Sequence, residues 1–225
     1  MSRPAGPAPA LEVVYGRRPV AEAERGRRTV RRIWRSPETP PERLAELAGS
    51  PDHQGVVAEV DPYPYGDGDS LLAAADPLVV VLDQVQDPHN LGAVCRSAEV
   101  AGAAGVVIPD RRAAGVTAAA CKASAGAVEH LEVARVTNIA DWLERAKSAG
   151  FWVWGADGSG ESAPWEVDLT GPTALVMGAE GRGLRPRVRS SCDGTIAIPQ
   201  RGEVGSLNVS AAASVLLFEA VRQRG

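Results

Sequence analysis

Beyond residue 77 the chain alternates short apolar runs with longer stretches of helical period. Leu78–Leu82 (LVVVL) is apolar at every position, the pattern of a strand buried on both faces. Gly105–Ile108, Leu131–Val136, Phe151–Gly155 (FWVWG), Thr173–Met177 (TALVM) and Gly194–Ile198 (GTIAI) predict further strands. Helices are predicted over Asn90–Ala101, with Asn90 as N-cap, and from Asn138 to Ala149, with Asn138 as N-cap. Val209–Val221 is apolar nearly all round and predicts a buried helix. This alternation, sustained over about 150 residues, predicts an α/β domain with a mostly parallel sheet.

The N-terminal portion reads differently. Residues 1–10 are mainly Pro, Ala and Gly and predict a disordered tail. Residues 11–60 predict a small α/β unit: a helix near Pro19–Arg25, a strand near Val30–Trp34, a helix over Pro41–Ala48 and a strand over Gly55–Val60. Residues 61–75 open with DPYPYGDGDS, whose prolines, glycines and aspartates predict a linker. The larger domain then occupies 76–225.

Charge changes the picture only locally. The chain has 225 residues, 24 basic and 28 acidic, for a net charge of −4. Only Lys122 and Lys147 are lysines, so 22 of the basic residues are arginine. A GC-rich genome produces such a bias, and so does placement for phosphate, which suits the guanidinium fork. Arg25, Arg27, Arg28, Arg31, Arg32 and Arg35 fall within eleven residues that hold no acid. Such a run is either a solvated face or a nucleic-acid footprint. Trp34 within it is a core residue or a base-stacking one. The longest apolar stretches are too short for a membrane span, and the N-terminus lacks the apolar core of a signal peptide, so a cytoplasmic location is expected. Cys95, Cys121 and Cys192 form no CxxC pair. His53, His89 and His130 form no HExxH, so no metal site is expected.

Open α/β sheets bind ligands beyond the carboxyl ends of their strands, and three loops there carry unusual residues. Asp83–Glu99 (DQVQDPHNLGAVCRSAE) brings Asn90, Arg96 and Glu99. The simpler reading there is an N-cap plus a surface Arg96–Glu99 pair. Met177–Arg185 (MGAEGRGLR) offers Gly178, Gly181 and Gly183 around Glu180, but neither GxGxxG nor GxxxxGK[ST]. Ile198–Ser214 (IPQRGEVGSLNVSAAAS) clusters Ser206, Asn208 and Ser210 at a helix start. In KASAGAVEH (122–130), Ser124 and Glu129 read as packing residues before site residues.

Together these loops resemble the SpoU/TrmH family of the SPOUT superfamily, the S-adenosylmethionine-dependent RNA 2′-O-ribose methyltransferases. NLGAVCRSAE (90–99), MGAEGRGL (177–184) and IPQRGEVGSLNVSAAAS (198–214) match its three motifs in order, and KASAGA matches between them. VVYGRRPVAEA (13–23) and HQGVVAEV (53–60) resemble the ends of the family's L30e-like RNA-substrate-binding domain. Only about 30 residues separate them, so that domain is shortened. Among members the chain is most like the RlmB-type 23S rRNA guanosine-2′-O-methyltransferases.

The resemblance implies a deep C-terminal trefoil knot, S-adenosylmethionine as cofactor, an RNA partner and a homodimer with its site at the interface. It implies that Met177, Gly178, Glu180, Gly183, Ile198, Pro199, Ser206 and Leu207 hold the cofactor. It places Arg96, Asn90, Glu180, Ser206 and Asn208 at the reaction, and Arg17, Arg27, Arg28, Arg31, Arg32 and Arg96 on RNA. A free guanidinium, with a pKa above about 12, is a poor base, so Arg96 is expected to clamp phosphate and stabilise the developing alkoxide. Other expectations are a tRNA or resistance-type rRNA methyltransferase of the same family, or a catalytically silent RNA-binding assembly factor. The missing dinucleotide fingerprint sets a nicotinamide-linked oxidoreductase aside.

Overall fold

The computed structural model describes residues 10–179, 181–203 and 205–225, so the tail expected at 1–10 lies almost wholly outside the described residues, as does Glu180. The first sixty residues alternate strand and helix: β1 (Glu12–Tyr15), α1 (Arg17–Ala23), β2 (Val30–Arg35), α2 (Pro41–Ala48) and β3 (Val56–Val60). The most apolar strand, β3, lies between β1 and β2 and is antiparallel to both. Helix α2 opens on Pro41 and ends where Gly49 turns left-handed at φ 62°, the usual proline-first, glycine-last punctuation.

Residues 61–75, expected as a linker, are built into the larger unit. Within them, β4 (Gly66–Asp67) pairs in parallel with a strand of the large sheet, and a 3-10 turn at Ser70–Ala73 buries Leu71. The Tyr63 ring is buried, and its hydroxyl donates to the carbonyls of Leu131 (2.9 Å) and Val128 (3.1 Å). The Tyr65 hydroxyl accepts from Val116 N at 2.7 Å. Two aromatic side chains with satisfied hydroxyls thus anchor a stretch whose composition suggests only turns.

The remainder runs β5 (Leu78–Asp83), α3 (Pro88–Val100), β6 (Gly105–Pro109), α4 (Ala118–Ala123), β7 (Glu132–Val136), α5 (Ile139–Ser148), β8 (Trp152–Ala156), β9 (Thr173–Gly178), α6 (Pro186–Ser190), β10 (Gly194–Ile196) and α7 (Val209–Arg224). The seven-stranded sheet has the order β10-β8-β9-β5-β6-β7-β4, and its pairings are all parallel. The apolar run in β5 feeds both faces. Leu78, Val80 and Leu82 pack with Leu91, Val94, Leu216 and Leu217 of α3 and α7. Val79 and Val81 pack with Ile139 and Leu143 of α5. The period-two alternation of a strand explains why every position had to be apolar.

Most strand and helix ends shift by one or two residues from the sequence expectation, and three of the differences bear on the site or its surroundings. Helix α3 begins at Pro88, and its N-cap is Asp87, whose carboxylate accepts from His89 N at 2.8 Å. Asn90 therefore sits inside the first turn, because Pro88 is preset for the first helical position. Strand β10 stops at Ile196, leaving 197–198 to the loop that follows. Helix α7 extends to Arg224 and is not buried all round, since Val215 and Phe218 remain 44% and 47% exposed.

Candidate active site

A cavity of about 470 Å³ opens beyond the carboxyl ends of β8, β9 and β10. Its floor is Ala156, Met177 and Ile196 at the strand ends, and Ile198, Leu207 and Ala212 add apolar wall. The loop after β9 turns back on itself: Gly183 N donates to Ala179 O at 2.9 Å, and Ala179 N to Gly183 O at 3.2 Å. Gly183 holds φ 65°, a left-handed conformation. This return brings the backbone against Gly178, where a Cβ would lie 2.2 Å from the Gly183 carbonyl carbon. Only glycine fits there, and its backbone is left open to a ligand.

A second hollow adjoins the cavity, with Ala179 lining both. Gln84, Asp87, Asn90 and Arg182 surround it. Asn208 Nδ2 donates to Asn90 Oδ1 at 3.0 Å and so joins the starts of α7 and α3 across this corner. Asn208 also caps α7, accepting from Ser210 N at 2.8 Å and from the Ser210 hydroxyl at 2.6 Å. The motif-two loop is fixed from below: Asp83, fully buried at the end of β5, accepts from Arg185 N (2.9 Å) and Arg185 Nε (2.7 Å).

Met177, Gly178, Gly183, Ile198, Ser206, Leu207 and Asn208 therefore line one cavity, and Asn90 lines the next. Pro199 is exposed and lines neither. Arg96 is exposed on α3 and lines neither, and the expected Arg96–Glu99 pair does not form. Ser124 and Glu129 are buried packing groups. Asp157 is a cavity residue that the motifs did not indicate. Burial raises its pKa, but bonds from the Ser159 amide and hydroxyl, together with Arg189, outweigh this and hold it below the usual aspartate value. Its one sequence signal is its place directly after β8, at the carboxyl edge where α/β sheets bind ligands.

The arginine run needs correction. Arg28 is buried, not on an RNA-facing surface: its guanidinium pairs with buried Glu129 and, at 3.0 Å, with Glu12. Burial alone would favour its neutral form, but its bonds to the accepting Glu129 carboxylate win and raise its pKa. A guanidinium cannot be left unpaired at such a depth, so this pair joins the small sheet to the large domain. Arg31 is held by both oxygens of Asp61 at 2.6 and 2.7 Å, Arg25 pairs with Glu22, and Arg35 with Glu24. Arg17, Arg27 and Arg32 have no acidic partner among the described residues, and Arg32 lies over the Trp34 ring at 4.8 Å. Acids outside the run, some adjacent to it and some distant in sequence, thus neutralise four of its six arginines.

Among the described residues no group of His, Cys, Asp or Glu is placed to hold a metal ion, and no helix is long and apolar enough to cross a membrane.

The fold and cavity agree with the sequence comparisons. The SpoU rRNA Methylase family matches residues 77–218, and the chain belongs to it. That places it in the class of RNA methyltransferases. An uncharacterized tRNA/rRNA methyltransferase of Synechocystis is 38% identical over 96% of this chain, which spans 64% of that protein's length. The 23S rRNA (guanosine-2′-O-)-methyltransferase RlmB of Photobacterium profundum is 46% identical over 80% of this chain and 76% of its own. The SpoU methyltransferase AviRb of Streptomyces viridochromogenes, solved in complex with AdoMet, superposes with a TM-score of 0.83 at 30% identity. That superposition covers 95% of this chain and 90% of AviRb.

Proposed function

We propose that this chain is an S-adenosylmethionine-dependent methyltransferase acting on a ribose 2′-hydroxyl, that of a guanosine in 23S rRNA. The observation that carries this reading is the cavity, where the second and third motif loops converge on backbone that only a glycine at 178 allows, with Asn90 of the first motif in the adjoining hollow. Its volume, and apolar walls that hold one carboxylate among the described residues, suit a cationic cofactor of drug-like size. The cofactor supplies a methyl group on a sulfonium, which needs no metal to leave. The identity to RlmB supports the rRNA target, and AviRb supports the cofactor.

The residues present do the positioning. Gly178, Ile198, Ser206 and Leu207 hold the cofactor, and Asp157 answers its positive charge. Asn90 and Asn208 fix the corner where the ribose must approach, since in-line displacement depends on alignment. Arg96 clamps the adjacent phosphate and stabilises the developing alkoxide, not as a base. Arg96 lines neither hollow of its own chain, which supports a site completed by a second copy. The exposed Val215 and Phe218 of α7 supply an apolar face for that homodimer. The C-terminal trefoil knot and an L30e-like role for 11–60 belong to the same reading.

The test is transfer of tritiated methyl from S-adenosylmethionine to 23S rRNA and to tRNA, followed by mapping of 2′-O-methyl sites. A methylated guanosine in 23S rRNA is expected. Methylation of tRNA alone would replace the target, and no transfer to any RNA would overturn the reading. Arg96→Ala should abolish transfer while cofactor affinity stays within about twofold.

A further inference from the structure

Two hollows follow one another along the carboxyl edge of the large sheet, and a third continues the line. It measures about 300 Å³ and lies beyond β5, β6 and β7. Gln84 lines both it and the hollow around Asn90. From β9, at the cofactor cavity, to β6 is two strand spacings, about 10 Å. The third hollow is walled by Arg111, Arg112, Arg185 and Arg187, with Thr137 beside them.

These cations differ in what balances them. Arg185 is paired with buried Asp83, and Arg187 with Asp141 at 2.5 Å. Arg111 and Arg112 form no ion pair with any described residue, and neither does Arg182 in the middle hollow. The nearby carboxylate of Asp110 accepts the Thr137 hydroxyl at 3.1 Å. The edge therefore carries surplus positive charge, whereas most of the arginine run of the small domain is neutralised internally. The backbone is also unusual here. Gln84 and Arg112 hold φ 65° and 60°, left-handed conformations that non-glycine residues rarely adopt. Strain of this kind is retained mostly in loops that present groups to a ligand.

We propose that Arg111 and Arg112, with Arg182 at the inner end, bind backbone phosphates of the RNA strand beside the nucleotide held at Asn90. The proposal rests on the RNA methyltransferase reading. The guanidinium fork matches a phosphate's paired oxygens, and Gln84 adds an uncharged donor of the kind that positions a backbone without reading its sequence. The substrate strand then lies across the catalytic domain itself, from the cofactor cavity toward β7.

The experiment compares the full chain with Arg111→Ala/Arg112→Ala. Binding of a labelled 12-nucleotide single-stranded RNA is measured between 50 and 200 mM KCl. Two lost phosphate contacts should lower the slope of log affinity against log salt by about 1.4. Affinity at 50 mM should fall at least about tenfold, while the cofactor dissociation constant stays within about twofold. Arg111→Lys/Arg112→Lys should keep the slope, which shows that charge and not folding is at stake. An alanine variant that binds cofactor normally and keeps the wild-type slope and affinity would overturn the proposal, as would a wild type that does not bind the oligonucleotide. If such a variant still methylates rRNA, only this proposal fails. If the wild type methylates no RNA, the reading beneath it fails instead.

Discussion

Asn208 Nδ2 lies 3.0 Å from Asn90 Oδ1, although 118 residues separate them in the chain. The same Asn208 side chain caps α7. Asn208→Ala removes both roles. The lost cap should cost about 1 kcal/mol, or a fall in Tm of roughly 2–4 °C for a chain of this size. Asn208→Ser retains an oxygen for the cap but not the amide for Asn90. It should therefore restore Tm without restoring methyl transfer. Equal recovery of both would reduce Asn208 to a helix cap.

Gly178→Ala places a methyl group against the Gly183 backbone, which cannot swing aside as a long side chain can. Cofactor affinity should fall at least about tenfold, equivalent to about 1.4 kcal/mol. Gly183→Ala meets no atom within 4 Å and is opposed only by its φ of 65°. It should cost about 1–2 kcal/mol of stability with a smaller effect on affinity. Calorimetric titration of both variants separates a blocked pocket from a strained loop.

Asp157→Asn keeps the shape of the cavity wall and removes its carboxylate. A charge-assisted bond is worth about 1.5–3 kcal/mol, so the cofactor dissociation constant should rise about tenfold or more. The pairing of Asp157 with Ser159 and Arg189 keeps it ionised near neutrality. Wild-type affinity should therefore stay flat from pH 6 to 8. An unchanged dissociation constant in the variant would confine Asp157 to holding its own loop.

Glu129→Gln leaves Arg28 charged and buried with half its counter-charge gone. Breaking a buried pair from one side costs about 3–5 kcal/mol. The corresponding loss in Tm is roughly 10 °C. Arg28→Met/Glu129→Leu removes both charges and should cost clearly less. Thermal unfolding of the two variants decides, and a larger loss in the double variant would contradict the account.

Glu219 accepts from Arg222 and Gln223 on α7, and these bonds hold its pKa down to about 2 from an ordinary 4.5. A carboxyl depressed on folding adds stability that is present above its unfolded pKa and is lost as pH falls through the folded one. The Tm difference between wild type and Glu219→Gln should be constant above pH 5 and shrink steadily toward pH 2. A difference that persists at pH 2 would assign the effect to packing.

The buried strands were legible because both of their faces are covered, which leaves LVVVL, and TALVM after its opening Thr173, no polar position. The cap of α3 was misread because Asp87 and Asn90 are equally good caps. Pro88, preset for a first helical position, was the available signal. Strand β4 was illegible because two residues, Gly66 and Asp67, carry no periodicity. The motif glycines and Asn208 were readable as a cavity because loops after parallel strands must converge. Asp157 was not, since a lone Asp after a strand resembles any turn. The arginine run misled because Glu22, Glu24, Asp61 and Glu129 neutralise it from outside the window.

The family match begins at residue 77, but the folding unit does not. A fragment beginning there would lack β4, so the backbone edge of β7 would be bare and open to pairing with another chain. It would also withdraw Tyr63, vacating its place in the core and leaving the Leu131 and Val128 carbonyls without their donor. The boundary that marks shared ancestry thus falls inside a cooperative unit. Excising the catalytic domain along it should yield an aggregating protein, not a minimal enzyme.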